Sequence, residues 1–162
     1  MRIDLPAAAD TFELGRALGR LLRAGDLVLL TGPLGAGKTV LAQGIGAGLG
    51  VTGPVVSPTF VIARVHRGGR LPLVHVDAYR LGSVAEVDDL DLDAELADSV
   101  TVVEWGGGLV ERLADAHLAI RLERAESGED RTAVLCPSGG TWPERIAALV
   151  SSPRVNAVSS PR

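Results

Sequence analysis

The stretch from Leu27 to Leu49 narrows the possible folds more than any other part of this chain of 162 residues. Leu27-Val28-Leu29-Leu30 is an unbroken apolar run, the pattern of a strand covered on both faces. It leads directly into Gly32-Pro33-Leu34-Gly35-Ala36-Gly37-Lys38-Thr39, which fits G-x-x-x-x-G-K-[ST] at every position, and a helical pattern follows from Lys38 to about Leu49. At this chain's residue frequencies the octet arises by chance with a probability on the order of 10⁻³, before the strand and helix around it are counted.

The spacing has a mechanical reason. Glycine at 32, 35 and 37 permits a loop whose amides point inward, since side chains there would block both the turn and the approach of an anion. The helix that follows adds its positive N-terminal end. Lys38 then reaches the β- and γ-phosphates of a nucleotide, and the Thr39 hydroxyl takes one position on Mg²⁺. Lys38 is also the only lysine; every other basic residue among the 16 is arginine. A chain so biased keeps lysine where a compact ammonium on a flexible stem is needed. A GTPase reads guanine through Asn/Thr-Lys-x-Asp, and no second lysine exists to supply it, so ATP or ADP is the expected nucleotide.

The length suits one domain, and residues 1–150 are expected to form it, with 151–162, which carry Ser-Ser-Pro-Arg twice, as a solvated tail. The 16 basic residues stand against 20 acidic ones, a net charge of −4, so bulk charge does not attach this chain to nucleic acid or to anionic lipid. Aromatics are only 3% of the residues, so aliphatic side chains must build the core, and the 20 glycines read as tight turns. The uncharged stretch from Thr39 to Ala63 contains too many glycines, prolines and hydroxyls for a membrane span. The N-terminus has no apolar leader pattern, and Cys136, the single cysteine, excludes an intrachain disulfide; the chain reads as cytoplasmic.

Further elements alternate along the chain. Arg2 to Leu5 reads as a strand, and Thr11 to Ala24 as a helix with Asp10 as N-cap and Gly25 as its stop. Thr59 to His66 and Leu73 to Asp77 read as a hairpin around Arg67-Gly68-Gly69-Arg70, followed by acid-rich helical pieces over 83–97. Val100 to Val103 is a second buried strand, ending at Glu104. Leu118 to Leu122 and Thr132 to Leu135 suggest an antiparallel pair, and Thr141-Trp142-Pro143-Glu144 opens a last helix with capping-box spacing. The expected fold is a single-domain α/β protein of the P-loop NTPase kind: three layers around a mixed parallel and antiparallel sheet.

Phosphate chemistry in such a fold needs a carboxylate at the end of a neighbouring buried strand. Two strands offer one, through Asp77 and Glu104, and the residues alone do not say which holds the metal and which polarises water. Ser57 and Thr59, around Pro58, lie where a segment that senses the terminal phosphate is often placed, or form a plain turn. Trp105 either covers the site or packs at the sheet edge. His66, His75 and His117 have no metal-ligand spacing, and His75 reads as packed or hydrogen-bonded, not catalytic. Asp88 to Asp93 reads as a solvated acidic face.

Four segments in this order, GPLGAGKT from Gly32, SPTF from Ser57, HVDAYRL from His75 and VVEW from Val102, resemble the TsaE (YjeE) family, bacterial P-loop ATPases of tRNA threonylcarbamoyladenosine biosynthesis. The likeness extends from about Leu5 to Cys136. It implies an ATPase that is weak alone and resets the complex of its partners TsaB and TsaD, so that tRNA is met only through that complex and no membrane is involved. By motif it implies that ATP or ADP is held by Gly32, Pro33, Leu34, Gly35, Ala36, Gly37, Lys38, Thr39 and Val40, with Ser57 and Thr59 as a switch and Trp105 beside the site. It further implies Thr39 and Glu104 on Mg²⁺, Asp77 and Lys38 in hydrolysis, and Thr11 near the base. Pro33 stands where the family usually has Asp, Ala78 where it has Leu, and Gly106 where proline often follows the tryptophan. The other readings are a small-molecule P-loop kinase with Arg67 and Arg70 on a lid-like turn, and a non-catalytic module that nucleotide merely orders.

Overall fold

Leu27–Thr31 is a strand with a parallel neighbour on each side, which is why its residues are apolar without alternation. The computed structural model describes residues 1–56, 63–78, 97–104, 115–126 and 128–152. In chain order these form β1 (Arg2–Leu5), α1 (Ala8–Leu21), β2 (Leu27–Thr31), α2 (Lys38–Leu49), β3 (Ala63–His66), β4 (Leu73–Asp77), β5 (Val100–Glu104), β6 (His117–Arg124), β7 (Arg131–Ser138) and α3 (Trp142–Val150). One seven-stranded sheet runs β1-β7-β6-β2-β5-β4-β3 among the described residues. Its centre, β6-β2-β5-β4, is parallel, and antiparallel strands flank it on both sides. The expected α/β fold with a mixed sheet is therefore the one observed.

One face of the sheet packs on the helices. Val28, Leu30, Leu73, Val100, Val102, Leu118, Ile120 and Leu122 form one core with Leu14 and Leu18 of α1, Leu41 and Ile45 of α2, and Trp142 and Ile146 of α3. The opposite face carries Leu27, Leu29, Val74, Val76 and Val103, all buried. Of the acid-rich helical pieces expected over 83–97, residues 83–96 lie outside the described residues, as do Ser57, Pro58, Thr59, Tyr79, Arg80, Trp105, Gly106 and the tail from 153 onward.

Three local expectations need correction. Helix α1 begins at Ala8, with Ala7 as N-cap, and Asp10 sits inside the first turn, where its Oδ2 accepts from the Ala7 N–H at 2.9 Å. A carboxylate there still complements the helix dipole, so the signal was sound and the register was off by one turn. Gly25 does not end the helix; Leu22 caps it, and Gly25 turns the chain into β2 with its N–H bonded to Ser99 O. Thr141 precedes α3, but its side chain makes no capping hydrogen bond.

Nor are all glycines turn formers. Gly15 and Gly19 of α1 face Gly44 and Gly48 of α2, and a Cβ at any of the four would overlap a carbonyl oxygen of the other helix, Leu41, Ile45, Phe12 or Arg16. Bare backbone at this crossing lets the two helices approach closely, and it sets the start of α1 beside the start of α2. No helix among the described residues is long and apolar enough to cross a membrane.

Candidate functional site

The loop of residues 32–37 leaves the carboxyl end of β2 and enters α2. Three of its positions have backbone angles that favour glycine: Gly32 at φ 145°, Gly35 at 75° and Gly37 at 99°. Gly32 is doubly constrained, because a Cβ would also overlap the Leu122 carbonyl oxygen on β6. Gly37 caps α2 without any side-chain bond, so the first amides of the helix have no acceptor inside the helix and face the loop. A concave ring of backbone donors at a helix N-terminus is a general anion cradle. Pro33 has no N–H to offer, but its carbonyl serves the loop by accepting from Ala36 N–H at 3.1 Å.

Lys38 is only 5% exposed. Its ammonium donates to Gly32 O at 2.7 Å and to Pro33 O at 2.9 Å, spanning the loop that it follows. Burial lowers its pKa from the ordinary 10.5, while the nearby carboxylates of Glu104 and Asp77 act in the opposite direction. One cation and two carboxylates therefore share the carboxyl end of the sheet.

Pairing of the strands explains that convergence. In register, Glu104 of β5 lies opposite Leu30 of β2 on one side and opposite Asp77 of β4 on the other. The two strand-end acids thus stand abreast, Glu104 on the strand next to the one that feeds the loop and Asp77 one strand further out. Glu104 is 3% exposed and Asp77 half-buried. The imidazole of His75, fully buried, meets Glu104 Oε1 through Nε2 at 2.8 Å, in keeping with the expectation of a hydrogen-bonded histidine.

On the other side of the loop, Thr11, Gly35, Gly37, Val40, Glu129 and Arg131 line a small cavity of about 150 Å³. Thr11 Oγ1 is buried without a hydrogen-bond partner among the described residues. Arg124, at the end of β6, approaches the same loop: a Cβ at Gly35 would stand 3.8 Å from its Nη1. Thr11 and Val40 are among the residues that the family resemblance implies at the nucleotide; Arg124, Glu129 and Arg131, which the structure also brings to this loop, are not. All three belong to a hairpin that reads as a plain connector, and only its return past the loop brings them close.

The Thr39 hydroxyl, at the second residue of α2, and the buried Glu104 carboxylate are hard oxygens, the donor type that suits Mg²⁺. Among the described residues no group of three His, Cys, Asp or Glu side chains is placed to hold a metal ion. Arg70 is elsewhere. Its guanidinium donates to Gly19 O and Leu22 O at the C-terminal end of α1, and its N–H bonds Leu49 O at the far end of α2. A helix of 12 residues puts that turn roughly 18 Å from the loop, too far to serve as its lid.

Comparison with known proteins identifies a family. The family model described as threonylcarbamoyl adenosine biosynthesis protein TsaE matches residues 5–133. A Streptomyces coelicolor protein named tRNA threonylcarbamoyladenosine biosynthesis protein TsaE is 65% identical over 116 residues, 70% of this chain and 78% of that protein. A Mycobacterium tuberculosis protein of the same name is 54% identical over 138 residues, 80% of this chain and 82% of its own. Among solved structures, Bacillus subtilis YdiB superposes with a TM-score of 0.77 at 29% identity, covering 92% of this chain and 93% of that one. With the family model spanning most of the sheet and relatives this similar over most of their length, the chain belongs to the TsaE family.

Proposed function

We propose that this protein is a Mg²⁺-dependent P-loop ATPase that supports threonylcarbamoyladenosine modification of tRNA next to the anticodon, acting on the TsaB–TsaD complex and meeting tRNA only through it. The observation that carries the ATPase reading is the joint placement of the glycine loop, the buried Lys38 and the abreast pair Asp77 and Glu104 at one end of the sheet. The tRNA role rests on the names of the relatives.

In this reading the segment from Gly32 to Val40 binds the phosphates of ATP or ADP through its backbone N–H groups, Pro33 excepted, and Lys38 moves its ammonium from the loop carbonyls toward the β- and γ-oxygens. Thr39 and Glu104 hold Mg²⁺, which when bound neutralises charge on those oxygens. Asp77, beside Glu104, orients and polarises the attacking water. Thr11, whose hydroxyl has no hydrogen-bond partner among the described residues, faces the base in the adjoining cavity. Ser57 and Thr59 act as the switch and Trp105 flanks the site, on the strength of the motifs alone.

Depleting the protein in its own host and measuring threonylcarbamoyladenosine in bulk tRNA tests the biology. The modification is expected to collapse, and to return with the wild-type protein but not with Lys38→Ala. Unchanged modification in the depleted cells would separate this chain from the pathway.

A further inference from the structure

His75 is a fully buried imidazole in the middle of β4, a place where an aliphatic side chain would pack at lower cost. Its neighbours in the strand, Leu73, Val74 and Val76, follow that rule. Of its two ring nitrogens, Nδ1 has no hydrogen-bond partner among the described residues, and Nε2 has one, Glu104 Oε1 at 2.8 Å. The pairing is diagonal. His75 lies opposite Val102, and the carboxylate it reaches belongs to the residue two further along β5. Among the described residues the contact with Glu104 is the one hydrogen bond that compensates for burying the ring.

A glutamate carboxylate turns broadly about its last torsion, and nothing in its own chain selects which oxygen faces a ligand. A donor fixed in a strand removes that freedom. Carboxylates that bind metals are commonly held by such a neighbour, and losing it typically costs 10–100-fold in metal affinity or activity.

We infer that His75 is the positioning residue of Glu104: its Nε2–H holds Oε1, fixing the carboxylate so that the second oxygen is kept for the divalent cation. This rests on the proposal that Glu104 serves a metal. His75 touches neither nucleotide nor metal, and its effect is confined to the metal step.

The test is Mn²⁺ binding to the ADP-loaded full chain, read by electron paramagnetic resonance, together with ADP affinity in the absence of any divalent ion. His75→Leu is expected to leave metal-free ADP affinity within about twofold and to weaken Mn²⁺ about 10-fold. The same substitution in a Glu104→Gln background should weaken Mn²⁺ no further. His75→Gln, whose amide reaches the carboxylate, should recover most of the affinity, and His75→Asn, which is shorter, should not; this pair decides the matter if His75→Leu fails to fold. Wild-type Mn²⁺ affinity in His75→Leu, an equal loss in the Glu104→Gln background, or equal affinities for the Gln and Asn variants would overturn the inference. An equal loss of metal-free ADP binding would make the role structural and overturn it too. Wild-type protein that binds ADP but no Mn²⁺ would instead refute the metal site itself, and the positioning role with it.

Discussion

Lys38→Ala is expected to lower ATP turnover by at least about 10²-fold, a loss of about 3 kcal/mol of transition-state stabilisation. Two effects combine. In the proposed hydrolysis the developing charge on the phosphoryl group loses the Lys38 ammonium, and the loop loses the side chain that bonds the carbonyls of Gly32 and Pro33. Lys38→Arg should not rescue, because a planar guanidinium cannot occupy a place that leaves the ammonium 5% exposed and donating to two loop carbonyls. Phosphate release under single-turnover conditions checks this, with Thr39→Ala and Glu104→Ala expected to fall in the same way. Turnover within threefold of wild type in Lys38→Ala would remove the lysine from the chemistry.

The second large effect concerns stability at the opposite end of β2. Asp26, just before the strand, receives both terminal nitrogens of Arg145, at 3.0 Å from Nη1 and 2.5 Å from Nη2. Arg145 Nη2 also bonds Leu21 O at 2.9 Å, and the guanidinium lies 4.2 Å from the centre of the Trp142 ring. The side chains are 8% and 12% exposed, so this is a two-pronged ion pair largely out of water, joining α3, the end of α1 and the start of β2. Asp26→Ala leaves the guanidinium buried with its charge uncompensated. The expected cost is about 3–5 kcal/mol, a large share of the 5–15 kcal/mol typical of a whole domain. Urea denaturation measures it. Replacing both partners, with Asp26→Leu and Arg145→Met, should recover much of the loss, and nucleotide binding should be unaffected because the pair lies across the strand from the loop. A cost under about 1 kcal/mol for Asp26→Ala would mean the pair behaves as a solvated one.

The parts of this protein that are legible in its sequence are those whose cause is local. An apolar run followed by Gly32-to-Thr39 declares a buried strand, a loop and a helix within one window, and the hairpin around Gly68 and the antiparallel pair ending near Cys136 announce themselves by strand-turn-strand spacing. Asp77 and Glu104 were each visible as strand-end acids, but their standing side by side is a property of the register between β4 and β5. The glycines at 15, 19, 44 and 48 look like turn formers because their reason for being small is a helix far along the chain. His75 is similar: within its strand it is a polar residue between two valines, and the pairing with β5 gives it an acceptor. The α1 boundary was missed because Asp10 complements the first turn as well as it would cap it. Arg124, Glu129 and Arg131 reach the loop through the bend of a hairpin, which leaves no pattern in the residues themselves.

The most direct measurement is a titration of the ¹⁵N-labelled protein with ADP and Mg²⁺, followed through its backbone amides. Signals of Gly35, Gly37, Lys38 and Thr39 should move together and saturate at micromolar ADP, about −8 kcal/mol, while those of Gly50 and Gly68 at the far end of α2 stay in place. Loop amides that do not move while ADP binds elsewhere, or a protein that binds no ADP at millimolar concentration, would contradict the phosphate cradle on which the catalytic and metal assignments depend.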